Sequence, residues 1–430
     1  LSQIIDIFKE ITAIPRCSKT HEPFINYMKE LSSKLGYLCL VDDFNNILCK
    51  KENSTANLAF QSHYDIVCLS DNCVPVIVQN GDTLSAQNST LGSDNGIGCA
   101  YMIQLIYDGY DGEFLFTSDE EIGLIGANNL DLELKAPYML NLDSEEEGGI
   151  CIGCAGGVDI FGTNTNKKII PNDENLDLYE VSISKLQGGH SGVDIDKNIP
   201  NGIKLIAKTI KEANAKLLDI NGGERINSIP VNVKAIIACK EAPIASHENM
   251  LIEKIDTKSE HLNVFDDSII DFLYVFENGM RGMNEELRVV QNSINLAIIK
   301  TSPDDIKVEL SARSMANEEL AALKEETIAL LEKHNFTVTT DGKYPAWKPD
   351  INEFTNKVLD IYKEFNETAS LEAIHAGLEC AIFKDKYPHI KVASIGPSIQ
   401  FPHSKKEQVS IASVENVYKV VEKVALEMSK

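Results

Sequence analysis

The stretch EFLFTSDEEIG, residues 113–123, decides how this chain is read: a compact apolar run of strand length passes directly into Asp119, Glu120 and Glu121. A short apolar run bounded by turn signals has the character of a buried strand. In an open α/β sheet, ligands bind just beyond the carboxyl ends of the strands, so side chains at that point are candidates for chemistry. Other runs end in the same way. LAFQS (58–62) leads into His63-Tyr64-Asp65, PYMLNL (137–142) into Asp143-Ser144-Glu145, and HIKVASIG (389–396) through PSIQFP to His403. Between the first two, LGSDNGIG (91–98) sets Asp94 in a glycine-flanked turn at a helix start. Taken singly, each of these is a cap, a solvated turn or a surface histidine. Their convergence on one sheet edge argues for a site.

Outward from this edge, helices alternate with short strands. Helical periodicity covers Ser2 to Leu35, interrupted at Ile14-Pro15-Arg16, and GIGCAYMIQLIYDG forms another helix. After the glycine-rich CIGCAGG the pattern changes to half-exposed alternation in LDLYEVSISKL, VNVKAIIAC and NLAIIKT. From YPAWKPD (344–350) the first pattern returns, ending in the amphipathic tail VENVYKVVEKVALEM. The expected fold is α/β: a domain with a central mixed sheet flanked by helices, interrupted by an α+β domain with an antiparallel sheet. The expected boundaries are 1–170, 171–343 and 344–430. No internal repeat or low-complexity tract is present.

Composition excludes several classes. The formal net charge of -25, from 40 Lys+Arg against 65 Asp+Glu, lacks the clustered basic residues of a nucleic-acid binder. No apolar run approaches the roughly 20 residues that span a bilayer, and the start lacks the pattern of a signal peptide. A soluble protein is expected. The ten cysteines lie mostly in apolar stretches, without the small loop-rich frame of a disulfide-stapled domain, so a reducing cytoplasm fits best. Cys151 and Cys154 form a lone CxxC that reads as buried small side chains rather than as a redox or zinc motif. The chain begins at Leu1, which leaves an initiator methionine or a short leader open.

The spacings have a chemical logic. In His63-x-Asp65 on an extended chain both side chains point to one face, so the carboxylate can hold one imidazole nitrogen while the other binds a metal. Adjacent Glu120 and Glu121 diverge, so one can coordinate while the other acts as a base. His63, Asp94, Glu121, Asp143 and His403 suit a pair of zinc-class ions roughly 3.5 to 4 Å apart, with Asp94 bridging. Two divalent ions against three carboxylates and a hydroxide leave such a site close to neutral.

HYD, LGSDNGIG, TSDEEIG, LNLDSEEEGG, GCAGG, LQGGHSG, NSIP, HAGLEC and the PHS of FPHSKKEQV together resemble the aminoacyl-histidine dipeptidases (Xaa-His dipeptidases, bacterial carnosinases) of the co-catalytic zinc metallopeptidase superfamily. The resemblance spans the whole chain in order. HxD and DEE point only to the superfamily, whereas DSEEEG, GGHSG, HAGLEC and PHS with its trailing EQV point to the dipeptidase branch. The likeness implies metal ligands His63, Asp94, Glu121, Asp143 and His403, with Glu120 as general base and Asp65 orienting His63. Two divalent ions, zinc first and cobalt or manganese as alternatives, are implied with it. Aspartate at position 143 leans toward amino-terminal peptidase action over deacylation. The implied partners are small dipeptides and a second copy of the chain, docked through the interrupting domain, which the likeness makes the lid of the catalytic domain, with His190 of LQGGHSG reaching the partner's active site as an oxyanion donor.

Other candidates keep a structural alternative. Arg313 in VELSARS can clamp the substrate carboxylate and Asn227 of NSIP can hydrogen-bond the substrate, or both are structural. His375 and Glu379, four apart at a helix start, either face the cleft, with Glu379 holding the substrate's amino group, or cap the helix. Glu145 to Glu147 either recognise a cationic amino terminus or form a solvated loop. His21, His247, His261, His334 and His389 are assigned no role. The middle section looks shorter than in the enterobacterial enzymes, which leaves the lid contacts to the second residue open. The rivals are a deacylase or desuccinylase with the same metals, and a non-catalytic binding protein, which the intact ligand set and Glu120 argue against. The glycines of GICIGCAGG lack the spacing of a nucleotide-binding loop.

Overall fold

The computed structural model describes residues 3–69, 74–256 and 259–428. The chain divides into two compact units: Leu1–Cys154, Trp347–Ala373 and Leu378–Lys430 form the first, and Ala155–Ala346 with Ile374–Gly377 the second.

The first unit is built on an eight-stranded mixed sheet in the order Leu38–Val41, Ile47–Lys50, Glu113–Thr117, Leu58–His63, Tyr138–Asn141, Lys391–Ser394, Gly149–Cys154, Ser370–Ile374. Leu58–His63 runs parallel to both of its neighbours, and Lys391–Ser394 runs parallel to Tyr138–Asn141. Four strands therefore share one carboxyl edge. Leu58–His63 and Glu113–Thr117 are buried at every residue, which is why they read as continuous apolar runs rather than alternating ones. Stacked Phe60 and Phe114, ring centroids 5.4 Å apart, anchor this layer, each side chain contributing about 1.5–3 kcal/mol by burial. Helix Ser93–Tyr107 packs on the central strand and on Gln3–Thr12, and Ile411–Met428 adds Val417, Val421 and Val424 to the same core. The break at Pro15 separates Gln3–Thr12 from Glu22–Leu35, leaving an irregular segment that carries Arg16. Gly36 ends the second of these helices at φ +78°, a left-handed close that glycine adopts without strain. A small sheet pairs Ile399–Gln400 with Gln408–Ser410 and the latter with Thr83–Ala86, and His403 lies on the loop that this pairing closes.

The second unit carries a nine-stranded sheet in which all recorded pairings are antiparallel, with helices Gly202–Glu212, Asp267–Val275 and Asn317–Lys333. Tyr179, Val181 and Ile183 of Asp177–Ile183 are buried, giving the alternation seen in the sequence. The sequence reading set its boundaries at 171 and 343, whereas the units divide after Cys154 and before Trp347. The cause is local: Gly149–Cys154 belongs to the first sheet and Gly156–Asn164 to the second, so one nearly unbroken β-forming run serves both. A Cβ on Gly156 would lie 2.5 Å from the backbone of Ala346, a close approach that only glycine allows.

Cys17 and Cys68 are disulfide-bonded, which the composition did not suggest. Among the described residues Cys39, Cys49, Cys99, Cys151, Cys154, Cys239 and Cys380 are in no disulfide, and all but Cys39 are buried. The CxxC pair is thus unbridged. No helix among the described residues is long and apolar enough to cross a membrane.

Candidate metal centre

The four parallel strand ends of the first unit deliver side chains to one place. His63 closes its strand, and its Nε2 lies 3.1 Å from Asp94 Oδ1 and 3.2 Å from Asp143 Oδ1. His403 Nε2 lies 2.9 Å from Asp94 Oδ2 and 2.9 Å from Glu121 Oε2. The two oxygens of Asp94 therefore face different histidines, which splits the donors into His63 with Asp143 and His403 with Glu121. His63, Asp94 and Glu121 offer ligand atoms that all lie within 4.8 Å of one another. Glu121 Oε1 is buried without a hydrogen-bond partner, an orphaned acceptor of the kind a cation would satisfy. Residue types, spacing and this orphan fit divalent metal ions.

Local backbone geometry sets the aim of these groups. Asp119 sits at φ +50° and His403 at φ +57°, left-handed positions that cost an ordinary residue of order 1–3 kcal/mol and recur at functional sites. The turn at Asp119 swings the chain off the strand so that Glu120 and Glu121 follow at its end. Asp65 does more than orient an imidazole. The backbone carbonyl of Asp65 lies 3.0 Å from His63 Nδ1, while its carboxylate accepts the amides of Glu120 (3.0 Å) and Glu121 (3.3 Å) and the Ser18 hydroxyl (2.8 Å). The carboxylate stands 3.6 Å from the ring nitrogen, outside hydrogen-bonding range, so its main task is to hold the two glutamates.

Electrostatics show how far the cluster is over-supplied with negative charge. Burial pushes Glu120 well above the usual carboxylate range, the His63 charge opposes this, and Glu121, Asp143 and Glu379 push it further up. Burial and the Asp94 charge raise Glu121 to about 7, and burial with Asp94 and Asp143 raises Glu145 to about 8. Burial opposes ionisation of Asp94, yet hydrogen bonds from His403 and His63 hold it below the usual range. Burial alone would lower both imidazoles, but Asp143, Asp65 and Asp94 raise His63 well above its ordinary value, and Asp94 and Glu121 raise His403 to about 11. Two imidazolium cations thus balance the acids where metal ions would do so.

Several groups that shape this centre escaped the sequence reading. Asn95 donates its amide to Asp143 and takes a 2.6 Å hydrogen bond from Ser62. His21, assigned no role, hydrogen-bonds Tyr64 at 2.9 Å and pairs with Asp119 at 3.2 Å. Arg16 and Glu407, both nearly fully buried, bind the turn that carries Asp94. Their sequence signals were weak: a charged residue after Ile-Pro, and an acid three residues beyond PHS. Beneath the site, Glu379 Oε2 accepts Gln61 (2.5 Å) and Thr117 (2.6 Å), and burial raises its carboxyl to about 8. Of the three acids in SEEEG, Glu145 feels the cluster, whereas Glu147 takes a hydrogen bond from Asn416.

The second unit gathers a different set. His190 Nδ1 accepts the amides of Gly192 and Val193, each at 3.2 Å, which places the ring proton of a neutral imidazole on Nε2. A Cβ on Gly192 would come within 3.1 Å of the His190 ring and 3.3 Å of Arg313 Nη1, so the glycine makes room for both. Arg313 is 8% exposed and its Nε has no acceptor. His375 lies 2.7 Å from the Ser293 hydroxyl, and burial with the charges of Arg313 and His190 lowers it to about 3, so it is neutral. The backbone carbonyl of Asn227 accepts the Ser191 amide at 2.9 Å. His375 and Glu379 do not share a helix start: the helix begins at Glu379, and His375 belongs to the second unit.

The model of peptidase family M20/M25/M40 matches residues 59–427. The chain belongs to this family. As a member of M20/M25/M40 it is a peptide-bond hydrolase of the metallopeptidase type. It is 30% identical to the cytosol non-specific dipeptidase of Escherichia coli, over 98% of this chain and 97% of that protein. Among solved structures, the aminoacylhistidine dipeptidase of Vibrio alginolyticus matches with a TM-score of 0.80 at 28% identity, covering 99% of this chain and 96% of that one. An M20 metallo-carboxypeptidase from Sulfolobus solfataricus, at 14% identity and a TM-score of 0.61 over the full length of both chains, shares the fold. The resemblance drawn from the motifs and the α/β fold class both agree with these matches.

Proposed function

We propose that this M20 enzyme hydrolyses dipeptides, of Xaa-His type and more broadly, at a centre of two divalent ions held by His63, Asp94, Glu121, Asp143 and His403. The division of the Asp94 oxygens between His63 and His403 is the observation that carries this reading. When bound, such ions polarise a scissile carbonyl and make water acidic near neutral pH. Zinc is the first choice, with cobalt and manganese chemically admissible.

The chain's own groups supply the rest. Glu120, 4.0 Å from His63 Nε2, takes the proton of the attacking water on its carboxylate and returns it to the departing amine. Its raised proton affinity suits both transfers. The dipeptide carboxylate is taken by Arg313, whose Nε lacks an acceptor. His190, with its proton on Nε2, donates to the developing oxyanion. Asn227 and neutral His375 hydrogen-bond the substrate backbone, and Glu379 receives the amino terminus. The second unit is read as a lid through which two copies pair, in the cytoplasm, as with the E. coli relative named for the cytosol.

The test is hydrolysis of β-Ala-His, Ala-His, Gly-Leu and N-acetyl-Ala-His by protein stripped of metal and reloaded with zinc, beside Glu120→Ala. Metal-dependent cleavage of the free dipeptides, lost in the variant, is the expected result. Cleavage of the acetylated compound alone would transfer the protein to the deacylases, and silence on all four with two ions bound would make it a binding protein.

A further inference from the structure

The turn that carries Asp94 is gripped by two buried opposite charges. Glu407 accepts the amides of Leu91 (2.8 Å), Gly92 (3.1 Å), Ser93 (2.8 Å) and Asp94 (3.4 Å), together with the Ser93 hydroxyl (2.6 Å). An anion at the first turn of helix Ser93–Tyr107 also answers the partial positive charge there. Arg16 donates to the carbonyl of Gly92 at 2.7 Å and to that of Tyr64 at 2.9 Å, so one guanidinium ties the segment after His63 to the segment before Asp94. Both residues are nearly fully buried, Arg16 at 1% and Glu407 at 2% exposure. Two glycines of LGSDNGIG are explained by the guanidinium: a Cβ on Gly92 would stand 3.0 Å from Arg16 Nη2, and one on Gly96 would collide with it.

We infer that Arg16 and Glu407 act as a matched pair of positioning residues, holding the 91–94 turn from its carbonyl and amide sides so that the Asp94 carboxylate is presented between His63 and His403. The inference rests on the two-metal reading above. A buried charge kept for packing alone would be replaceable by an apolar group of similar volume. Here each charge satisfies backbone groups whose direction fixes the bridging ligand. Arg16 reaches the Tyr64 carbonyl through Nη1 and the Gly92 carbonyl through Nη2, and lysine, whose three donors sit on a single nitrogen, lacks the planar fork that sets the spacing of these two bonds.

The experiment uses the full chain, stripped and titrated with cobalt(II), comparing the wild type with Arg16→Lys, Arg16→Gln and the isosteric Glu407→Gln. The readouts are the visible absorption of bound cobalt, its stoichiometry, far-UV circular dichroism, and kcat and KM on Ala-His. The expected result is folded variants with weakened binding of at least one cobalt by tenfold or more and an altered visible spectrum. Loss is expected mainly in kcat, by thirtyfold or more, with KM within threefold, and Arg16→Lys is expected to retain more than Arg16→Gln. Variants that keep the wild-type spectrum, stoichiometry and kcat while only their melting temperature falls would overturn the inference. Should the arginine variants fail to fold, Glu407→Gln decides by the same criteria. A wild type that binds no cobalt and cleaves no dipeptide would instead overturn the two-metal reading, and this inference with it.

Discussion

The strand-end cluster of the first unit and the His190–Arg313–His375 group of the second treat buried polarity in opposite ways. In the first, acids and imidazoles neutralise one another across 2.9–3.2 Å contacts, and backbone amides hold Asp65 and Glu407. In the second, a buried guanidinium keeps an unused donor and a buried histidine is forced neutral. Leaving such a donor unpaired costs about 1–3 kcal/mol. The first arrangement suits the proposed exchange of protons for metal ions, and the second suits the proposed binding of a substrate anion.

The comparison breaks most visibly at Glu120. Glu120→Gln should lower kcat on Ala-His by about 10³–10⁴ while both metals stay bound, as expected for loss of a general base; a loss below tenfold, with metal content verified, would remove Glu120 from that role. Proton exchange comes next. Both histidines hold protons in the metal-free cluster, His403 up to about 11, so binding must displace them and affinity must rise with pH. Titration calorimetry in buffers of different ionisation enthalpy should report at least two protons released near neutral pH, the histidine protons joined by part of one from Glu121. The apparent affinity for the pair should fall by about a hundredfold or more per pH unit on acidification. Arg313→Ala should raise KM for free dipeptides and reduce kcat/KM by about a hundredfold, the worth of a charge-assisted pair. The cobalt spectrum should be unchanged, since the residue belongs to the second arrangement; a changed spectrum would erase the distinction.

The smallest effect sharpens the picture beneath the first cluster. Glu379 titrates at about 8 in the folded metal-free protein, so between the usual carboxylate range and that value the unfolded chain releases a proton that the folded chain keeps. Stability contributed by the neutral group is complete at low pH and is lost as pH rises toward 8. Glu379→Gln should therefore stabilise the metal-free protein by roughly 3 kcal/mol at pH 7 and flatten that part of the pH dependence, measured by urea unfolding. An unchanged slope would show that Glu379 is ionised in the fold.

Much of the first cluster was legible because a parallel sheet writes itself locally. Each buried strand is a contiguous apolar run, and the residue after it belongs to the functional edge, so His63, Glu120, Glu121 and Asp143 announce themselves by position. His403 was less direct, since eight residues, two of them in the short strand Ile399–Gln400, intervene between its parallel strand and the histidine. The unit boundary at Cys154 was missed because β-propensity does not change there. The second cluster had thinner signals: Arg313 sits on a strand face and His190 in a glycine-rich turn, and neither pattern says which polar atoms lack partners.

The amino-acid sequence by itself determined the layered α/β order, the second antiparallel unit and the residues at the strand ends, since burial patterns of period two, period 3.6 or continuous apolarity are local. Tertiary structure alone decided which Asp94 oxygen meets which histidine, that Asp65 serves the glutamate amides, and that Arg16 and Glu407 close on one turn. Glu407 reaches Ser93 across 314 positions and Arg16 reaches Gly92 across 76. Hydrogen bonds at such separations carry no periodicity, so they exist as information only once the chain has packed.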